Sequence, residues 1–463
     1  MADKKDLDAL TRRVFLQRGA TLATVAPFVI NLSACASSSA TDRASNGEEP
    51  DGGQPEPDAS TRPESEQTSG SIERADAGRS GSTAPPPAEL PVAEVDTLPP
   101  AAVLLSLQPG DGENAVKQAL EKLDLSWLEK GDSVLIKVAS NSGNPHPATT
   151  SPNGVRALVS VLKERGAGRV IVADQAGVEH VRRSQRGRYS TTRERFMTNG
   201  LGALADVAEL HFFDDGDWES GYVEATLPEG HHWPRGMRLA AIIKEVDHIV
   251  YMPRISAHTL AGLTNAQKSA IGWLRDDSRH DLHNDAGSFY EKFAEISYTD
   301  EIKRRFRLAL TLNESVQLFG GPDAGTVYKM NPPLVVASTS LANHDAMATS
   351  ILVTLQNTSG AVPAGMTYTA LLAPTLNGFF AGGAGVGTGE AGAWVSGSPS
   401  SRFSPHDFES SVQGERAVLR GWELSGGKPD SVQVIMHGEP MDDTLRAGLD
   451  AHGKGLYDFA RFA

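Results

Sequence analysis

The chain has 463 residues, with 58 acidic against 43 basic side chains and a formal net charge of −15 at pH 7. This length allows a sizeable hydrophobic core. An acidic chain without a basic stripe argues against nucleic-acid binding, and we expect no nucleic-acid partner. Cys35 is the only cysteine. An intramolecular disulfide, a thiolate-held iron–sulfur cluster and a cysteine-ligated zinc site are therefore excluded.

Residues 1–35 have the pattern of an export signal. The segment Thr11–Gln17 (TRRVFLQ) resembles the twin-arginine motif, a moderately apolar stretch follows, and Leu32–Cys35 (LSAC) resembles a lipobox. We therefore predict recognition by the twin-arginine export machinery, lipidation of Cys35, and a membrane-anchored protein at the periplasm or cell surface. The alternative is an amphipathic N-terminal helix. The twin-arginine route carries folded proteins and hints at a cofactor, whose identity the sequence does not give.

Residues 36–100 have the composition of a disordered linker. They contain 13 acidic and 4 basic residues, are rich in Ser, Pro and Gly, and have few large apolar side chains. Such a segment cannot bury enough surface to offset its ordering entropy. We therefore place the folded part at residues 101–463.

A strand–helix–strand unit is the clearest structural pattern in the folded part. Val134–Val138 is a short apolar run typical of a buried parallel strand. A long polar loop leads to Pro152, which suits the first position of a helix, and Val170–Ala173 is the next strand. This pattern predicts an α/β fold with a mostly parallel sheet and helices on both faces, as one large domain or two smaller subdomains.

The carboxyl ends of these strands carry the first candidate site residues. Ligands of parallel sheets bind in the crevice beyond those ends. Lys137 is predicted to stabilise an anion or a carbonyl there, and Asn141, Thr150 and Asp174 are predicted ligand-binding residues. Alternatively, Lys137 is a surface lysine at a strand end.

A second dense group of titratable residues follows a later predicted strand. His258 is the predicted general acid or base, because histidine titrates near neutral pH. Lys268 is predicted to bind an anion or polarise a carbonyl. His280 and His283 share one face if helical, and with Asp276 or Asp277, of which Asp277 is the preferred candidate, they could ligate a metal. The alternative is a network of surface ion pairs.

The remaining segments give coarser expectations. Residues 289–312 and 445–462 are predicted to be helical. Asp345 is a predicted ligand-binding residue at the start of a helix, with helix capping as the alternative. The glycine-rich segment 382–390 is predicted to be a flexible loop, with a phosphate cradle as the alternative.

Four pieces of the chain together resemble a known family. They are DSVLIKVASN, ATTSPNGVRALVSVLKERGAGRVIVAD, DHIVYMPRISAHTLAGLTNAQKSAIG and PPLVVASTSLANHDAMA. Their order and spacing are similar to those of the domain of unknown function 362 family. The positions that correspond to the family motifs are Lys137, Thr150, His258, Lys268, Gly272 and Asp345. The chain departs from those motifs at Val138, Ala139, Ser256 and Ser269. The resemblance implies no settled reaction.

Two functions of different classes remain open. The first is an exported enzyme that acts on a small anionic substrate, with a redox enzyme as one version. The second is a surface lipoprotein that binds a small ligand without chemistry. The sequence gives neither the substrate nor the oligomeric state.

Overall fold

The structure is a computed structural model. It describes residues 90–361 and 411–463, apart from residues 179, 186, 259, 260, 284 and 286. The predicted export signal with Cys35, most of the predicted linker and the glycine-rich segment 382–390 lie outside the described residues.

The described residues form sixteen strands. The strands are β1 (Val92–Ala93), β2 (Val103–Leu107), β3 (Ser133–Val138), β4 (Arg169–Asp174), β5 (Arg182–Ser184), β6 (Gly187–Tyr189), β7 (Glu209–Phe212), β8 (Tyr222–Glu224), β9 (Arg238–Ala240), β10 (His248–Met252), β11 (Ser256–His258), β12 (Gly262–Thr264), β13 (Phe306–Gly320), β14 (Gly325–Ser338), β15 (Val432–Gly438) and β16 (Tyr457–Phe462).

Helices alternate with these strands. The α-helices are α1 (Gly112–Glu121), α2 (Pro152–Glu164), α3 (Thr192–Asn199), α4 (Ala266–Ser269), α5 (Asp276–His283), α6 (Phe289–Ile296), α7 (Asp300–Lys303), α8 (Leu341–Thr358), α9 (Arg416–Leu424) and α10 (Asp443–Gly453). Short 3-10 helices are Leu201–Asp206, Ala241–Glu245, Ala270–Trp273 and Val412–Gly414.

One large twisted sheet organises the described part of the chain. Its strand order is β1-β16-β15-β2-β14-β13-β10-β3-β4-β7, and the β11–β12 pair joins it through β13. Along this order β14 runs antiparallel to both neighbours, whereas the other neighbouring pairs are parallel. The predicted α/β fold with a mostly parallel sheet is therefore confirmed.

Helices cover both faces of the sheet. In β3, Val134 and Ile136 belong to a hydrophobic cluster shared with α1 and α2. Leu135 belongs to another cluster that includes residues of α6 and of the 270–273 turn. Because successive side chains of a strand point to opposite faces, Lys137 lies on the Leu135 side of the sheet. That side holds the candidate site.

Three predicted boundaries or elements are wrong. Residues 90–100 belong to the fold, because β1 pairs with β16 and Leu98 is buried. The last seven residues of the predicted helix 289–312 belong to strand β13, in which Leu308, Leu310 and Leu312 face one cluster at a spacing of two residues. The predicted helix 445–462 ends at Gly453, and its last residues form β16.

In the part of the chain that the structure describes, the helices are all too short or too polar to cross a lipid bilayer.

Candidate functional site

The candidate site lies at the carboxyl ends of three neighbouring parallel strands. Lys137 is opposite Ala173 in β4 and Tyr251 in β10. Thr150, in the loop after β3, donates a hydrogen bond of 2.6 Å from Oγ1 to the carbonyl oxygen of Met252 at the end of β10. This hydrogen bond ties the loop after β3 to the end of β10, at the edge of the sheet where ligands of parallel sheets bind.

Lys137 forms a fully buried ion pair. Its Nζ lies 2.6 Å from Asp174 Oδ1 and donates to the carbonyl oxygens of Val138 at 2.7 Å and Ser269 at 3.0 Å. Burial lowers the pKa of Lys137 and raises the pKa of Asp174, and the opposite charge of each partner counteracts these shifts. Two of the three N–H donors of the ammonium thus go to backbone carbonyl oxygens, and Asp174 supplies the opposite charge.

Gly272 packs directly against this ion pair. A Cβ atom at this position would overlap Asp174 Oδ1 and lie 2.7 Å from Lys137 Nζ. Only a residue without a side chain fits there. The sequence resemblance already singled out Gly272, and close packing against the buried pair is the physical reason for a glycine.

Thr150 and Asn141 also have partners within the protein. Thr150 is buried, and its Oγ1 accepts a hydrogen bond of 2.9 Å from the backbone N–H of Ala139. Asn141 Nδ2 donates to Asp323 Oδ1 at 2.6 Å, and the other oxygen of Asp323 lies 2.7 Å from His180 Nε2. These contacts fix the loop after β3, and the ligand-binding roles of both residues stay predictions.

Asp345 contacts a distant helix instead of capping its own. Helix α8 begins earlier, and Ser340 is its N-cap. The Asp345 carboxylate accepts hydrogen bonds from the backbone N–H groups of Ala266 at 2.9 Å and Gln267 at 2.8 Å. It therefore holds the first turn of α4, and its own ligand-binding role stays a prediction.

Helix α4 is held at both ends by buried charges. Asp345 binds N–H groups at its start, and Lys137 binds the carbonyl oxygen of Ser269 at its end. A carboxylate at the N-terminal end and a cation at the C-terminal end match the polarity of exposed helical backbone groups. Lys268 lies between these two anchors and is only partly buried.

His258 is surrounded by basic groups. It is 8% exposed, and burial, the charges of Lys268 and Arg254, and His283 lower its pKa well below 6.5. His258 is therefore a neutral imidazole at pH 7. The predicted acid or base group and the predicted anion-binding lysine are thus neighbours, and α4 connects them to the Lys137 ion pair.

Arg254 belongs to the same basic group and was not among the predicted site residues. It is 2% exposed and donates to the carbonyl oxygens of Pro147 at 2.8 Å and Pro322 at 3.0 Å, and to Ser256 Oγ at 3.1 Å. Its Nε has no hydrogen-bond partner. Among the described residues no carboxylate oxygen lies within 4.0 Å of it. Burial lowers the pKa of Arg254 to about 10, and the charge of Asp323 counteracts this shift.

The predicted metal ligands do not form a metal site. Asp277 pairs with Arg275, with 2.6 Å between Oδ2 and Nη2, and His283 Nδ1 bonds to the carbonyl oxygen of Arg279 at 2.7 Å. Burial lowers the pKa of His283 to about 4. Within residues 90–361 and 411–463, as far as they are described, no group of three or more His, Cys, Asp or Glu side chains is arranged to hold a metal ion. The hypothesis for His280, His283 and Asp277 is therefore not supported.

A buried hydrogen-bonded chain behind α4 also escaped the sequence analysis. His344 Nδ1 lies 2.9 Å from Asp345 Oδ1, and His344 Nε2 lies 2.9 Å from Thr311 Oγ1. In the sequence, only the adjacency of His344 and Asp345 pointed to this hydrogen-bonded chain. Thr311 lies in a segment predicted to be helical, so its position beside His344 could not be anticipated.

Two solved structures are similar to this chain at low identity. The lactate racemase apoprotein from Thermoanaerobacterium thermosaccharolyticum is 13% identical, with 81% of this chain and 91% of that chain covered and a TM-score of 0.36. A protein from Thermotoga maritima is 17% identical, with 48% and 56% covered and a TM-score of 0.30. With TM-scores below 0.5, these similarities indicate no function for this chain.

No curated protein matches this chain. The model of the family described as Domain of unknown function (DUF362) matches residues 134–350. This range contains all six positions that the sequence analysis related to the family motifs. The resemblance to this family is therefore confirmed for residues 134–350 of the chain.

Proposed function

We propose that this protein binds a small anionic molecule at the carboxyl edge of its sheet, beside Lys268, His258 and Arg254. One observation carries the proposal. Arg254 is a buried cation without a carboxylate within 4.0 Å among the described residues, and the charges of Arg254 and Lys268 both act on His258. The charge of Asp323 acts on Arg254 only from beyond ion-pair distance, and a bound anion would supply negative charge in direct contact.

A chemical role for His258 extends this proposal. Its ring is neutral at pH 7 and can accept a proton from a molecule bound beside it. A bound anion would offset the charges of Lys268 and Arg254 and so raise the pKa of His258 toward neutrality. The ligand itself would thereby make His258 a stronger base. In this version the protein is an enzyme that acts on the anion.

The second candidate is a binding protein without chemistry. It is favoured by the same geometry, because the charges that act on His258 come from the basic groups Lys268, Arg254 and His283. Incubation with a mixture of small carboxylates and phosphate esters, followed by NMR, separates the two candidates. The enzyme converts at least one compound and His258→Asn abolishes conversion, whereas the binding protein converts none.

Calorimetric titration of the full-length protein tests the anion site. Inorganic phosphate and acetate serve as probes. We expect binding by the wild type and a loss of roughly tenfold in affinity in Lys268→Met, because one charge-assisted contact is removed. Lys244→Met, at an exposed lysine, is the matched control and should bind like the wild type. Equal affinities of the wild type and Lys268→Met would refute the proposal, as would absence of binding to every anion tried.

We also propose that the protein is exported and tethered to a membrane through Cys35. The support is the order of twin-arginine motif, apolar stretch and lipobox in residues 1–35. Metabolic labelling with palmitate and cell fractionation test this. Label should appear in the wild type at the membrane and vanish in Cys35→Ala, and replacing Arg12 and Arg13 by lysine should keep the protein inside the cell. An unlabelled wild type would contradict the proposal.

A further inference from the structure

We infer that the buried chain Thr311–His344–Asp345 is a positioning device for Lys268. The inference rests on the proposed anion site, because it concerns the orientation of the lysine that binds the anion. It assigns a role to two residues, Thr311 and His344, that the sequence analysis did not select, and it gives Asp345 a role other than ligand binding.

The three side chains form a continuous hydrogen-bonded chain. Both of its side-chain contacts measure 2.9 Å, one from Thr311 Oγ1 to His344 Nε2 and one from His344 Nδ1 to Asp345 Oδ1. All three residues are 0% exposed. Hydrogen bonds in such a dry interior are strong, and each one left unmade is costly.

The direction of the hydrogen bonds follows from the partners. Asp345 also accepts two backbone N–H groups, so its carboxylate acts as an acceptor throughout. His344 therefore donates from Nδ1, and its Nε2 pairs with the Thr311 hydroxyl. Every polar atom of these three side chains then has a partner. The Thr311 hydroxyl thus holds the His344 ring in the orientation that fixes the Asp345 carboxylate.

The chain resembles a nucleophile–histidine–aspartate triad but is not placed to act as one. A nucleophile must reach a substrate, and Thr311 is completely buried inside strand β13. The Asp345 oxygens, moreover, bind the backbone of α4. The Asp345 end of the hydrogen-bonded chain therefore contacts a structural element, helix α4, and not a substrate.

Helix α4 connects these three hydrogen-bonded side chains to the proposed anion site. Asp345 binds the N–H groups of Ala266 and Gln267, one and two residues before Lys268. Lys137 binds the carbonyl oxygen of Ser269, the residue directly after it. A helix of four residues has little rigidity of its own, so its direction depends on these anchors. Release of the Asp345 anchor would turn α4 and displace Lys268.

Substitutions at Thr311 test the inference without touching the site. Thr311→Val removes the hydroxyl at nearly constant volume and leaves His344 Nε2 without its partner, whereas Thr311→Ser keeps the hydroxyl. Thr299→Val is the matched control, because Thr299 is another buried threonine that donates to a helix carbonyl, that of Ile296.

Phosphate affinity of the full-length protein is the first readout. We expect a loss of roughly 3- to 10-fold in Thr311→Val, recovery to within about twofold in Thr311→Ser, and no change in Thr299→Val. A folded Thr311→Val that binds phosphate like the wild type would overturn the inference.

A ligand-independent readout separates this inference from the proposed function. The NMR signal of the His258 ring senses the charge of Lys268. It should shift in Thr311→Val but not in Thr311→Ser or Thr299→Val. If the wild type binds no phosphate, the proposed function fails. The shift of the His258 signal in Thr311→Val then tests by itself whether Thr311 positions Lys268. An unchanged signal in Thr311→Val would overturn it.

Discussion

Two groups of buried basic residues lie at the same edge of the sheet and differ in how their charge is balanced. Lys137 has a carboxylate 2.6 Å away and donates to two backbone carbonyl oxygens. Arg254 has no carboxylate within 4.0 Å among the described residues and keeps one N–H without a partner. The ion pair of Lys137 serves the fold, whereas Arg254, whose acidic neighbour Asp323 lies beyond ion-pair distance, belongs to the proposed anion site.

The largest effect is expected where the balanced pair is broken. Asp174→Asn leaves the Lys137 ammonium buried without its counter-ion and should lower the free energy of unfolding by about 3–5 kcal/mol. Urea unfolding measures this. Asp206→Asn is the control, because its ion pair with Arg156 is largely exposed and should contribute at most about 1 kcal/mol. Similar losses of unfolding free energy in Asp174→Asn and Asp206→Asn would mean that burial does not make the Lys137–Asp174 pair more stabilising than the exposed Arg156–Asp206 pair.

A smaller loss is expected from crowding the same pair. Gly272→Ala inserts a methyl group against Asp174 Oδ1 and Lys137 Nζ and should cost about 1–3 kcal/mol. Gly287→Ala is the control, since its Cβ would meet only an ordinary contact at 3.4 Å. Equal unfolding midpoints for the two variants would show that Gly272 does not cover the ion pair.

The neutral histidines of the basic group predict a pH dependence. The pKa of His283 is lowered to about 4 in the folded state, from 6.5. Between these values the unfolded chain binds more protons, so stability falls as the pH drops from 6.5 toward 4, by about 1–3 kcal/mol. His283→Asn should flatten this slope, and His231→Asn, at an exposed histidine, should leave it intact. A wild-type slope that His283→Asn leaves unchanged would contradict the assignment.

The smallest effect on stability is expected in the basic group itself. Lys268→Met removes a partly buried charge and should lower the free energy of unfolding by at most about 1 kcal/mol in phosphate-free buffer. Added phosphate should raise the melting temperature of the wild type more than that of the variant. A large loss of stability without phosphate would place Lys268 with Lys137, as a structural residue.

The fold was predictable because its signals are local. The apolar run of β3, Pro152 at the start of α2, and the β4 run ending at Asp174 occur where the sequence places them. Strand β13 was missed because Ile302, Phe306 and Leu310 also fit a helical spacing. Pairing with β14 and β10, which the local pattern does not contain, decided the outcome.

The sequence predicted most residues of the candidate site but not the role that each of them has in the structure. The sequence selected Lys137, Asp345, His258 and Lys268, and the structure joins them around α4. The sequence could not show that Lys137 and Asp345 each make a hydrogen bond to the backbone of α4, because the residue type does not reveal a backbone partner. Arg254 was missed as a site residue for the same reason, since its lack of a carboxylate partner is a property of the folded chain.

The pKa of His258, measured by NMR in the full-length protein, tests the central claim most directly. Without phosphate, the ring should stay neutral well below pH 6.5, because burial, Lys268 and Arg254 oppose its protonation. With saturating inorganic phosphate, its pKa should rise, because the anion balances these charges. A pKa near 6.5 that phosphate does not change would contradict an anion-binding basic site at this edge of the sheet.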